Sequence, residues 1–125
     1  MSKLKTEKVF NPSSTVETLT LNSNGSATVA GTVSATERTI TASAFDLSTG
    51  NFWTVGNIAV PNPTNAVAGT GGLIRATAAP VSFAGNFKFP GGVTYTAPTA
   101  FPAIIPFFVQ DSTTILLGNW TEGIA

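Results

Sequence analysis

The chain contains neither cysteine nor histidine. Their absence excludes disulfides, thiolate nucleophiles, Ser-His catalytic pairs and every zinc site built from Cys and His ligands. It leaves the compartment open, since a chain without thiols suits both reducing and oxidising surroundings. Charge is also scarce. Six Lys/Arg and six Asp/Glu make up 10% of 125 residues and cancel, where roughly 25% is usual for a soluble domain. A nucleic-acid partner wants a basic patch, and six scattered, balanced cations do not supply one. Long apolar runs are missing too. The longest, Phe101 to Val109, is interrupted by Pro102 and Pro106 and falls far short of the roughly 20 residues of a spanning helix, so no membrane anchor is expected. The charged start, Met1 to Lys8, leads into no apolar h-region, so no secretory signal is expected either.

What chemistry remains is carboxylate chemistry. Glu7, Glu17, Glu37, Asp46, Asp111 and Glu122 are dispersed along the chain, and no spacing suggests the facing pair, about 5–10 Å apart, that glycoside hydrolysis uses. The expectation is a protein that is not an enzyme and has no cofactor. Asp46, Ser48 and Asn51 offer oxygens to a calcium ion but match no EF-hand; the competing reading is that they cap a turn. Gly69-Thr70-Gly71-Gly72 is neither a dinucleotide fingerprint nor a P-loop and reads as a link into a strand.

Against the shortage of charge stands 42% hydrophobic content. A net charge near zero protects poorly against association. Two readings follow from composition: the surface is covered by other protein, or hydroxyls replace charges on its outer faces, threonine being the commonest residue.

The hydrophobic period is that of strands throughout, with no 3.6-residue stripe of helical length. Residues 26–33 alternate between an apolar face, Ala27, Val29, Gly31 and Val33, and a largely hydroxyl one, Ser26, Thr28, Ala30 and Thr32. With 15–21 and the intervening Asn22-Ser23-Asn24-Gly25 they predict a β-hairpin. Further strands are expected at Arg38–Phe45, at Phe52–Val60 with a break near Gly56-Asn57, at Gly72–Thr77, near Phe87–Phe89, and at Ile104–Gln110 and Thr114–Asn119, separated by Gly/Pro/Asn punctuation. Twelve glycines and eight prolines limit any helix to a turn or two. These signals predict an all-β fold, an antiparallel sandwich or barrel-like single domain at residues 13–125, preceded by a short extended arm at 1–12.

The aromatic residues concentrate in the C-terminal two thirds, in or beside predicted strands. Phe87 and Phe89 share a face, while Phe107-Phe108 puts one ring on each side of its strand. That strand is therefore either buried on both sides or sticky on one. Val9 and Phe10 of the arm, with Trp53, Phe87, Phe89, Phe107 and Trp120, form the candidate assembly interface. Stacking of Trp53 or Trp120 on a sugar is the alternative use of those rings, and burial in the core is the structural one.

Phe45-Asp46-Leu47-Ser48-Thr49-Gly50-Asn51-Phe52-Trp53-Thr54-Val55, then Val60-Pro61-Asn62-Pro63-Thr64-Asn65, Gly72 to Pro80, Phe87-Lys88-Phe89-Pro90-Gly91-Gly92 and the closing Ile104 to Gly118 resemble β-rich virion structural proteins of tailed bacteriophages, most closely those of marine cyanobacterial phages. The resemblance covers residues 44–125. It implies a non-enzymatic role in the virion: a capsid decoration or cement-type protein, homo-oligomeric and bound to the major capsid protein, or alternatively a tail-fibre or tail-tip component contacting host glycans. Relatives are often parts of longer fibre-like chains, and this chain's length suits a compact plate or knob better.

Overall fold

The computed structural model describes residues 8–10, 17–30 and 36–124. They fall into two compact units, residues 8–30 and residues 36–124. The chain is all-β, as its period predicts, and its helical content is confined to single 3₁₀ turns at Leu47–Thr49 and Pro90–Gly92 among the described residues.

In the first unit, β1 (Lys8–Phe10), β2 (Glu17–Leu21) and β3 (Ala27–Val29) form an antiparallel sheet in that order. The expected hairpin is β2–β3, with Leu19 opposite Val29 and Leu21 opposite Ala27. Its turn is closed by Gly25 N–H donating to Asn22 O at 3.0 Å, and Gly25 sits at φ +87°, where a Cβ would be strained. Residues 15–16 and 31–33 of the predicted hairpin lie outside the described residues. So do residues 1–7 and 11–12 of the predicted arm; its Lys8–Phe10 is β1.

The second unit contains β4 (Arg38–Thr39), β5 (Phe52–Val55), β6 (Ala59–Val60), β7 (Gly71–Ala76), β8 (Ser82–Phe83), β9 (Phe87–Lys88), β10 (Ala103–Asp111) and β11 (Thr114–Leu117). Six of them make one sheet in the order β4-β5-β7-β10-β11-β9, and β6 pairs with β8. This sheet is mixed, which corrects the antiparallel expectation. Only β7-β10-β11 runs antiparallel; β4-β5-β7, β11-β9 and β6-β8 are parallel pairs. The physical reason is connection length. A tight turn returns a chain antiparallel, whereas the long excursion through residues 56–70 brings β7 back beside β5 in the same direction. The continuous strand expected over Arg38–Phe45 is also broken: Thr41 and Ala44 bridge each other across a tight turn. Ser82–Phe83, too short to show a period, was not anticipated.

Strand alternation builds the core. Along β10, Ala103, Ile105, Phe107 and Val109 are buried, while Pro106, Phe108 and Gln110 are exposed. Register carries this face across the sheet: Ile105 lies opposite Ile74, Ile74 beside Trp53, Val109 opposite Ile115, and Ile115 beside Phe87. Phe45, Ile40, Val55 and Val60 complete the cluster, and no polar or charged side chain is buried among the described residues.

Pro106 is unusual in one of the two central strands of a sheet, since proline cannot donate to a ladder. Its carbonyl accepts from Gly118 N–H at 2.9 Å, but it returns no hydrogen bond, and β11 ends at Leu117. Gly118 is required there, because a Cβ would stand 2.6 Å from Pro106 Cγ. Beyond the proline the pairing resumes one residue out of step, with Ile104 bridging Thr121 rather than Trp120. A one-residue slip exchanges faces, and Trp120 packs against the core.

Candidate assembly surface

Two of the nominated rings, Trp53 and Phe107, and a third, Phe87, are core residues at 3%, 5% and 6% exposure and present no surface to a partner. Each follows the inward parity of its strand. Phe45 meets Trp53 edge-on at 4.7 Å and stacks on Phe87 at 6.1 Å, and Trp53 Nε1–H donates to Gly50 O at 3.2 Å. This also withdraws Trp53 from sugar stacking. Phe89 and Trp120 are half-buried against the core around Phe83, whose ring centroid lies 5.5 Å and 6.4 Å from theirs. Trp120 Nε1–H is buried with no hydrogen-bond partner. Val9 and Phe10 stand in β1 opposite Leu19 and Glu17; their side chains lie outside the described residues.

The residues that do face outward are the partners of these core positions by strand parity. Phe52, Leu73 and Pro106 form one cross-strand row, and Phe108 and Leu116 form the next. Phe52 is 42% exposed and Phe108 49%, with Leu73 and Leu116 close behind. The outward ring of Phe107-Phe108 is thus the exposed one, and the strand is apolar on both faces. Gly71 lies opposite Phe108 and Gly118 opposite Pro106, so neither adds a side chain to the surface. From the partial exposures and roughly 150–250 Å² per aromatic ring, the band comes to on the order of 300–400 Å². That is the size of the apolar centre of an interface, about half of the roughly 800 Å² each partner buries in a stable complex.

Polar groups bound the band. The row beyond Leu73 holds Thr54, Arg75 and the half-buried Ile104, and Arg75 makes a two-pronged pair with Glu37: Nε to Oε2 at 3.0 Å and Nη2 to Oε1 at 2.6 Å. The Arg75 hydrogen bonds, helped by Thr54, hold the Glu37 carboxyl down at about 2. At the opposite edge Lys88 sits beside Leu116 and donates to Gly85 O at 2.7 Å. An apolar centre rimmed by satisfied polar groups is the anatomy of a protein contact surface.

The loops before β5 and β7 form a second feature. Asp46 Oδ1 accepts from Ser48 N–H (2.9 Å), Ser48 Oγ (2.7 Å) and Asn65 Nδ2 (2.9 Å). These bonds, that from Asn65 first, keep its carboxyl ionised below the usual aspartate range. Asp46 and Ser48 thus cap the 3₁₀ turn, and the Asn51 amide donates to Gly71 O at 2.8 Å. Among the described residues no cluster of three or more acidic side chains gathers to hold a metal. Beside this turn lies an open cleft of about 810 Å³ lined by residues 47–51, Asn65, Val67 and Thr70. The sequence marked Ser48 and Asn51 as possible ligand oxygens and Gly69 to Gly72 as a link, but not a shared cleft, because its two walls come from loops brought together by the parallel pairing of β5 with β7.

No family model matches this chain, and neither does any curated protein or solved structure.

Proposed function

We propose that this chain is a non-enzymatic virion structural protein of the capsid decoration or cement type, attached to the shell through the outer face of its six-stranded sheet. The observation that carries the reading is the exposed apolar band Phe52, Leu73, Pro106, Phe108 and Leu116, on a chain with 10% charged residues. Covering such a band removes apolar surface from water at roughly 25 cal/mol per Å² before ordering costs. One band of this size makes a weak contact alone. In a symmetric homo-oligomer such contacts act together, because one bound subunit raises the effective concentration of the next at the shell. The resemblance of residues 44–125 to phage virion proteins points the same way.

The test is stoichiometry. Quantitative mass spectrometry of purified particles gives copy numbers commensurate with the major capsid protein for a decoration protein. A few copies per particle would place the chain in the tail and favour the tail-tip alternative. A chain absent from particles would defeat both.

A further inference from the structure

We propose that the cleft at the start of β5 and β7 is a binding site for a neutral saccharide. This goes beyond the assembly role and does not rest on it.

The argument is a count of donors and acceptors. No charged side chain lines the cleft. Its three hydroxyls have committed their protons inward: Ser48 Oγ donates to Asp46 Oδ1 at 2.7 Å, Thr49 Oγ1 to Asp46 O at 2.8 Å, and Thr70 Oγ1 to Val67 O at 2.8 Å. Towards a ligand these oxygens can only accept. Asn51 and Asn65 each commit one amide hydrogen, to Gly71 O and to Asp46 Oδ1. Each retains an oxygen that accepts and one N–H that donates. The side chains of the walls therefore offer an excess of acceptors, with two amide groups that can both accept and donate.

A ligand that fits must bring many donors without charge. A simple anion such as sulfate brings none, and any anionic group would face lone pairs backed by the ionised Asp46. A cation would find a single carboxylate, one oxygen of which already takes three hydrogen bonds. A sugar satisfies the count, because each hydroxyl donates and accepts at one oxygen, and neighbouring hydroxyls match an amide that does both. A sugar ring also has an apolar C–H face. Leu47 lines the cleft with Val67, which is 63% exposed. The frame is already set. Leu47 N–H donates to Thr64 O, Leu73 N–H donates to Asn51 O, and Asn65 is held at φ +53°, so little ordering remains to be done on binding.

The test is a titration of the ¹⁵N-labelled full chain, followed by NMR. The probes are methyl glucoside, methyl galactoside, methyl mannoside, N-acetylglucosamine and a neutral polysaccharide, with sialyllactose and calcium chloride as charged probes. At least one neutral sugar is expected to shift amides of residues 47–51 and 65–70 in a saturable way. A response only to the polysaccharide identifies a polymer as the source. Thr70→Val, Asn65→Gly, which keeps the positive φ, and Val67→Ala should each weaken binding several-fold to about tenfold, the loss of a hydrogen bond or of one apolar contact. Val67 is exposed, so its variant remains decisive if another fails to fold. Absence of any neutral-sugar shift, response to the charged probes alone, shifts confined to other residues, or binding indifferent to all three variants would overturn the assignment.

Discussion

Phe107 and Phe108 are consecutive, chemically identical and opposed in environment, so they separate folding from assembly within one strand. Phe107 is 5% exposed, opposite Gly72 on one side and Leu117 on the other. Glycine leaves nothing to close over a vacated site. A ring burying roughly 150–250 Å² at about 25 cal/mol per Å² contributes about 4–6 kcal/mol, matching the roughly 3–5 kcal/mol typical of Phe→Ala in a core. Against a total stability of about 5–15 kcal/mol, Phe107→Ala should lower the urea midpoint sharply. Phe108 is 49% exposed, and Phe108→Thr puts a β-branched, strand-favouring residue on an outward position, so its stability should fall by only about 1–2 kcal/mol, well short of the loss at Phe107. Association should show the reverse order. Phe108→Thr, still folded, should lose co-sedimentation with particles or self-association. Equal destabilisation by the two substitutions would refute the facing assigned to β10. A stable Phe108→Thr that assembles like the parent would refute the outer face as the contact surface.

Other consequences are equally direct. Gly118→Ala should cost about 1–3 kcal/mol, because its Cβ runs into Pro106 Cγ. The cost should largely vanish in a Pro106→Ala background, and a double-mutant cycle by urea unfolding without coupling would rule out that contact. The depressed Glu37 carboxyl contributes stability that is present above its ordinary value of 4.5 and is lost as pH falls towards about 2. Because the pair is some 40% exposed, that contribution is about 0.2–1 kcal/mol. The midpoint difference between the parent and Glu37→Gln should therefore be small at neutral pH and shrink across that acid window; a difference that grows on acidification contradicts the assignment. Trp53→Phe leaves Gly50 O without its donor and should cost more than about 1.5 kcal/mol, whereas Trp120→Phe removes a buried unpartnered N–H and should stay within about 1 kcal/mol by thermal unfolding.

Much of the local structure was legible because it is written in short-range chemistry. Asn22 to Gly25 marked the hairpin turn, Gly56-Asn57 the break between β5 and β6, and Asp111 to Thr113 the turn between β10 and β11. Facing was half legible. The adjacency of Phe107 and Phe108 required opposite faces, but only the register with Ile74 and Ile115 shows which face is covered. Trp53, Phe87 and Phe107 stood out as contact candidates because large aromatics mark interfaces and cores alike. The outward Leu73, Pro106 and Leu116 carry no local signal of exposure. Trp120 is harder still, since its inward placement follows from a slip that Pro106 imposes on a neighbouring strand.

The sequence alone determined the all-β character, the positions of most of the breaks and the exclusion of thiol and imidazole chemistry, because these depend on the residue types present and on their spacing along the chain. The tertiary structure decided which strands pair in parallel, which aromatic face stays uncovered and which loops enclose the cleft. Those outcomes depend on contacts between residues far apart in the chain, and no local period encodes them.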